Sequence, residues 1–327
     1  MNLLVFFAGL ALLLWSSDRF IFGASALSKN LGLPPFLIGL TIIAVGSSAP
    51  EMFIAAVAAF NNQNDTAIGN VLGSNTANIL LILGCTTLVK SMAIRSKTIF
   101  KELPLLLGAS LLGAWCIHDG ILSRLDGLIL LIGFIGLMIY LIHDAIMHQR
   151  EAAHDDQLAE NYPKEVPLHV ATSKASFWVV LGLVLLPTSA QMMVEGASGI
   201  ARLFGFSELM IGLTIIALGT SLPELAASIT SVLKGEDDLA VGNIVGSNLF
   251  NILAVLAIPG IINPTSGNNF IDPLAITRDL YIMLGSTVLL IILICVGAKP
   301  HRLSRWQGGI LLLAYIAYQL TIIWPFI

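Results

Sequence analysis

The chain of 327 residues is 56% hydrophobic and 11% charged, with a formal net charge of -4. Its mean hydropathy is +0.88, and soluble domains carry about 25% charged residues, so the composition is that of a polytopic membrane protein. A nucleic-acid binder of the basic-patch kind is excluded, because the sixteen Lys and Arg residues form no run that could grip phosphates.

A membrane-crossing helix needs ~20 mostly apolar residues. Ten segments qualify, at 3–25, 33–60, 66–89, 102–118, 125–145, 175–199, 207–233, 239–262, 274–297 and 304–326. The first, opening MNLLVFFAGLALLLW, has no basic n-region and no small-residue cleavage site, so a retained span is expected rather than a signal peptide. Near its end Asp18 and Arg19 are adjacent, as in a snorkelling pair at the interface. The second span, with 28 residues, is too long for one straight helix, and Gly46 and Pro50 fall in its middle. On the third span Asn70, Ser74 and Asn78 are spaced by four and share one helical face. Between the fifth and sixth spans, His148 to Lys174 has the composition of a solvated linker, and its three histidines lack ligand spacing.

The seventh span repeats the break, with Gly219 and Pro223, and the eighth repeats the spacing, with Asn243, Ser247 and Asn251. Glu195 reads as an end-of-span residue, and the five tryptophans fall toward span ends, as interfacial belt residues do. Cys85, Cys116 and Cys295 lie in apolar segments without a pairing pattern and read as small apolar side chains.

The two halves repeat at a constant offset of 173. IGLTIIAVGSSAPE (38–51) falls on IGLTIIALGTSLPE (211–224), and AIGNVLGSNTANIL (67–80) falls on AVGNIVGSNLFNIL (240–253). Such self-similarity marks a duplication. It predicts a first five-helix repeat over 1–147 with its motif at 38–80, a cytoplasmic linker over 148–174, and a second repeat over 175–327 with its motif at 211–253. Only Arg124, Arg202 and Arg278 lie beside connections that follow even-numbered spans; the other basic residues follow odd-numbered ones. The positive-inside rule then makes the latter cytoplasmic and puts both termini outside. Five spans per repeat is an odd number, so the halves insert in opposite orientations, the inverted-repeat plan of secondary transporters.

Glu51 and Glu224 each sit near the middle of a broken span. An acid at mid-membrane costs roughly 2.5 to 3.5 kcal/mol on insertion scales and must face a partner or a cavity. A proline four residues after a glycine frees that glycine's carbonyl, and an acid next to the proline meets the positive end of the restarting helix. Ser47 lies four residues before Glu51, with Ser48 beside it, and Thr220 and Ser221 repeat the arrangement before Glu224. Carboxylate, hydroxyl, amide and carbonyl oxygens suit hard ions such as Ca2+ and Na+, whereas zinc or copper favours His or Cys. Close helix packing alone accounts for Gly69, Gly73, Gly242 and Gly246, but packing requires no acid.

The phrases GSSAPE (46–51) with GNVLGSNTAN (69–78), and GTSLPE (219–224) with GNIVGSNLFN (242–251), resemble the α-repeats of the cation/calcium exchanger superfamily, sodium/calcium exchanger branch. The resemblance spans all but the central linker. It implies an all-α polytopic membrane protein with ten transmembrane helices in two inverted five-helix repeats. It also implies a secondary antiporter with Ca2+ and Na+ as transported ions, no cofactor and no enzymatic activity. By position, Glu51 and Glu224 would be the central Ca2+ ligands, joined by backbone oxygens of Ser47 and Thr220. Ser48, Ser74, Ser221 and Ser247, with carbonyls of Ala44 and Ala217, would form flanking Na+ sites, and Asn78 and Asn251 would close the centre. Some members carry an aspartate at one of those last two positions; here both are asparagine. A proton- or potassium-coupled exchanger using the same residues is the first rival. A cation channel is disfavoured by the internal inverted repeat. An intramembrane hydrolase using Ser47 or Ser48 lacks a His or Lys base in the matching spans. The bilayer of a bacterial or archaeal inner (plasma) membrane is the expected setting.

Overall fold

A computed structural model describes residues 2–33, 38–94, 101–152, 170–203, 217–265, 270–296 and 302–323. Among the described residues the fold is all-α apart from one short antiparallel ribbon of β1 (Met92–Ala93) and β2 (Arg302–Leu303). Among the described residues, six helices are long and apolar enough to cross a membrane, with Leu103–Ile117 and Leu222–Leu233 as shorter apolar helices. The protein is a polytopic membrane protein. Most of the expected linker, at 153–169, and the first part of the seventh span, at 204–216, lie outside the described residues.

The chain forms two compact units, one of residues 1–47 with 141–243 and the other of 48–140 with 244–327. In the first unit α1 (Asn2–Leu31) runs along a later helix (Thr172–Leu203), and three of the glycines between them explain how closely. A Cβ on Gly23 would lie 2.8 Å from the Ala175 carbonyl, one on Gly182 would lie 2.5 Å from the Phe20 ring, and one on Gly196 would lie 2.7 Å from the Phe6 nitrogen. Small residues let membrane helices approach until their backbones touch, which replaces the hydrophobic drive that lipid removes.

Polar contacts tie α1 to the short helix Leu222–Leu233 and to the turn after it. Ser17 donates to the Ala226 carbonyl at 2.8 Å and accepts from the Thr230 hydroxyl at 2.6 Å, and Ser25 donates to the Glu236 carboxylate at 2.6 Å. Asp18, expected to pair with Arg19, is nearer to Lys234, at 2.8 Å against 3.8 Å for Arg19. Arg19 instead stacks over Trp178 at 5.5 Å from the ring centroid, a cation–π arrangement that sequence adjacency does not reveal. Gly39, on the stretch before the first break, meets the eighth span so closely that a Cβ there would sit 2.6 Å from the Leu239 carbonyl oxygen.

In the second unit α3 (Ala49–Phe60; α2 being the preceding turn Ala44–Ser47) packs on α4 (Asn64–Ala77), on the turn 251–255 and on the helix Ala257–Ile262. The last helix, Arg305–Ile323, lies against α5 (Leu83–Val89), where a Cβ on Gly308 would be 2.8 Å from the Gly84 carbonyl. The Asn64 amide donates to the Asn263 carbonyl at 2.6 Å and accepts from the Asn263 amide at 3.3 Å.

Two outcomes test this packing. Gly39→Ala forces a methyl against backbone and is expected to destabilise by about 1–3 kcal/mol; a melting temperature in detergent equal to the parent's would contradict the close approach. Burial raises the pKa of Glu236 above its ordinary value of 4.5, and Asp238 and Asp237 push the same way, while Ser25 and Lys234 oppose. A raised folded pKa means that Glu236 contributes most below 4.5 and loses that contribution as pH rises through its folded value. Glu236→Gln keeps an acceptor for Ser25, so the melting temperature of this variant should fall less than the parent's as pH is raised from acid to neutral.

Candidate functional site

Both acid-bearing phrases break their helices at the serine three positions before the acid. Ser48 has φ -86° and ψ 4°, and Ser221 has φ -90° and ψ 1°. This bridge conformation is sparsely used and interrupts the ladder without a left-handed residue. Hydrogen bonding resumes at once, with Met52 N–H to the Ser48 carbonyl and Leu225 N–H to the Ser221 carbonyl, both at 3.1 Å. Proline occupies the first turn of each new helix, where its missing N–H costs nothing, and Glu51 and Glu224 fall in the same first turns. The positive end of each helix favours the ionised acid.

The asparagine-bearing spans carry a feature that helical spacing alone did not predict. Asn78 and Asn251 each open a five-residue π-helical turn, 78–82 and 251–255, again 173 residues apart. Leu83 N–H reaches back to the Asn78 carbonyl, and Leu256 N–H to that of Asn251 at 2.9 Å. A π turn widens the helix and shifts the phase of everything after it, and such turns concentrate at functional sites. The signal that could have flagged them is the doubled NIL after a Gly- and Ser-rich turn, which no general rule reads as π.

In the second unit, α3 packs on α4 and on the π turn 251–255, which gathers the elements carrying Ser48, Glu51, Ser74, Asn78, Ser247 and Asn251. All six residues are buried, and Glu51 is only 1% exposed. Four of their oxygens, Ser48 Oγ, Glu51 Oε2, Asn78 Oδ1 and Asn251 Oδ1, have no hydrogen-bond partner. Each such buried orphan costs about 1–3 kcal/mol. A cation that accepts oxygen ligands would remove that cost, and the donor set fits a hard ion. No group of three or more His, Cys, Asp or Glu occurs among the described residues, so neutral oxygens must supply most of any coordination shell.

In the first unit, Glu224 is 2% and Ser221 3% exposed, and Ser221 Oγ has no partner. Asn243 is a connecting residue here. It accepts from Ser47 Oγ at 3.2 Å, and its amide donates to Ser228 Oγ at 3.1 Å and to the Glu224 carbonyl at 3.5 Å. Ser47 also donates to the Ala44 carbonyl at 3.4 Å. Thr220 and Ala217 belong to the short helix Ala217–Thr220, and their side chains lie outside the described residues. Three residues beyond the expected set therefore support it: Asn243 through these bonds, and Asn75 and Asn248 through bonds of their own.

Residues 1–143 and 174–324 match the family model described as sodium/calcium exchanger protein. The chain belongs to that family. It is 49% identical to the CaxA protein of Alkalimonas amylolytica, over 95% of each chain. It is 40% identical to inner membrane protein YrbG of Escherichia coli, over 97% of this chain and 95% of that one. The solved structure of the sodium-calcium exchanger NCX_Mj, soaked with Na+ and Ca2+, superposes with a TM-score of 0.80 at 26% identity, covering 97% and 96% of the two chains. Membership of this family makes the activity cation/calcium antiport across a membrane that the chain crosses several times.

Asn243→Ala removes three hydrogen bonds inside the first unit. The expected result is a loss of about 1–3 kcal/mol in stability, read as a lower melting temperature; no change would mean that these bonds do not hold the buried hydroxyls.

Proposed function

We propose that the protein exchanges Ca2+ for Na+ by alternating access, with Glu51 and Glu224 as the charged ligands. The observation that carries this reading is the set of buried, unpartnered oxygens on Glu51, Ser48, Asn78 and Asn251, all within one compact unit. Backbone oxygens of Ser47 and Thr220 would join the two acids. Ser48, Ser74, Ser221 and Ser247, with the carbonyls of Ala44 and Ala217, would hold Na+, and Asn78 and Asn251 would close the centre.

Two ionised carboxylates carry a charge of about -2, which one Ca2+ or several Na+ can offset. Without cargo that charge stays buried and resists crossing, so one flux is tied to the other. Two five-helix repeats of opposite orientation would present the same ligands alternately to each side, from an inner membrane with both termini outside. The same-length relatives called inner membrane protein YrbG and sodium/calcium exchanger MaX1 of Methanosarcina acetivorans, the latter 27% identical over 98% of each chain, agree with this reading.

Asparagine at both 78 and 251 leaves the two glutamates as the only acids in the four matched phrases 38–51, 67–80, 211–224 and 240–253. That charge count also suits proton or potassium coupling, and the test separates them. Proteoliposomes loaded with Na+ are expected to accumulate radiolabelled Ca2+ faster than those loaded with K+ or given only a proton gradient. Removing a neighbour of a metal ligand costs 10–100-fold, so removing a ligand by Glu51→Gln or Glu224→Gln should reduce uptake roughly 100-fold or more. Uptake driven only by K+ or protons would replace the coupling ion, and uptake indifferent to all gradients would sink antiport.

A further inference from the structure

We propose that Asn248 is a positioning residue for the cargo: it holds the Asn78 amide so that Asn78 Oδ1 stays turned out as a cation ligand. This rests on the reading of Asn78 as a ligand given above. A backbone carbonyl can only accept a hydrogen bond, and the Asn75 carbonyl lies 3.4 Å from the Asn248 amide. Asn248 must therefore present its NH2 to that carbonyl, which leaves Oδ1 on its other side. That Oδ1 lies 2.9 Å from the nearest Asn78 amide atom and can only accept, so Asn78 must present its NH2 there. Asn78 Oδ1 is then directed away from Asn248, and it is the atom left without a partner in a residue only 2% exposed. An isolated amide could flip and offer a cation two N–H groups instead of an oxygen. The chain from the Asn75 carbonyl through Asn248 removes that freedom.

The clasp is reciprocal in its backbone contacts and unequal in its side chains. Asn75 is the repeat counterpart of Asn248, and its amide donates in turn to the Asn248 carbonyl at 3.4 Å. Such a reciprocal pair of equivalent positions is what a local pseudo-two-fold requires. Yet Asn75 Oδ1 has no hydrogen-bond partner, so it does not hold Asn251 as Asn248 holds Asn78. The side-chain clasp therefore differs between the two repeats.

A double-mutant cycle on the full chain in proteoliposomes tests the proposal, reading the KM for Ca2+ apart from the maximum rate. Outer-shell groups change metal affinity by 10–100-fold, so Asn248→Ala should raise the KM about tenfold in the parent. In an Asn78→Ala background the same change should add almost nothing, because the atom it positions is gone. Equal cost in both backgrounds, or no cost in the parent, overturns the positioning role. An unchanged KM in Asn78→Ala alone overturns the ligand reading beneath it, and so separates the two failures. Should Asn248→Ala fail to fold, Asn248→Leu keeps the bulk and lacks the acceptor for the Asn78 amide, so it should raise the KM about tenfold in the parent and add almost nothing in the Asn78→Ala background; equal cost in both also overturns the proposal.

Discussion

A carboxylate inside a membrane protein has to be reconciled with its surroundings, and the rest of this chain is arranged around that requirement. Glu51 is 1% exposed in a span whose neighbours are Leu, Ile, Val and Ala. No lysine or arginine shares its span. The same unit holds three further buried oxygens without hydrogen-bond partners, on Ser48, Asn78 and Asn251. The break at Ser48 serves both needs, since it opens the backbone and points the start of a new helix at the acid.

Backbone irregularity at membrane depth is tolerated only where protein or a polar cavity satisfies it. Among the described residues, the serine breaks and the π turns at Asn78 and Asn251 coincide with polar side chains of the repeated motifs, whereas two further π turns, Gly39–Ile43 and Ala275–Asp279, open on Gly and Ala. A proline kink built only for shape needs no acid beside it.

Both units pair some polar groups and leave others over. In the first, Asn243, Ser47, Ser228 and the Ser17, Asp18 and Ser25 contacts are paired, so their polarity joins helices, while Ser221 Oγ has no partner. In the second, Asn75 and Asn248 clasp each other, while Ser48, Glu51, Asn78 and Asn251 each keep an oxygen in reserve. Satisfied networks rigidify and unsatisfied ones are costly, so leftover oxygens are expected where a ligand completes the set. Membership of the sodium/calcium exchanger family supplies a ligand of the right chemistry.

The sequence by itself determined the membrane class, the duplication at an offset of 173, the two breaks and the residue types around each acid. These were legible because they depend on local rules: apolar run length, the missing N–H of proline and the four-residue spacing of a helical face. Only the tertiary structure decided which polar groups are used up by neighbours and which are left over. Asp18 turned to Lys234 across 216 residues, Asn243 was spent on Ser47 and Ser228, and the Asn75 carbonyl fixed the amides of Asn248 and Asn78. Asn70, Asn75 and Asn78 are chemically the same residue on one helix. Their roles diverge because a hydrogen bond needs a partner within about 3 Å in the right direction, and that partner lies on another helix, far away in the chain.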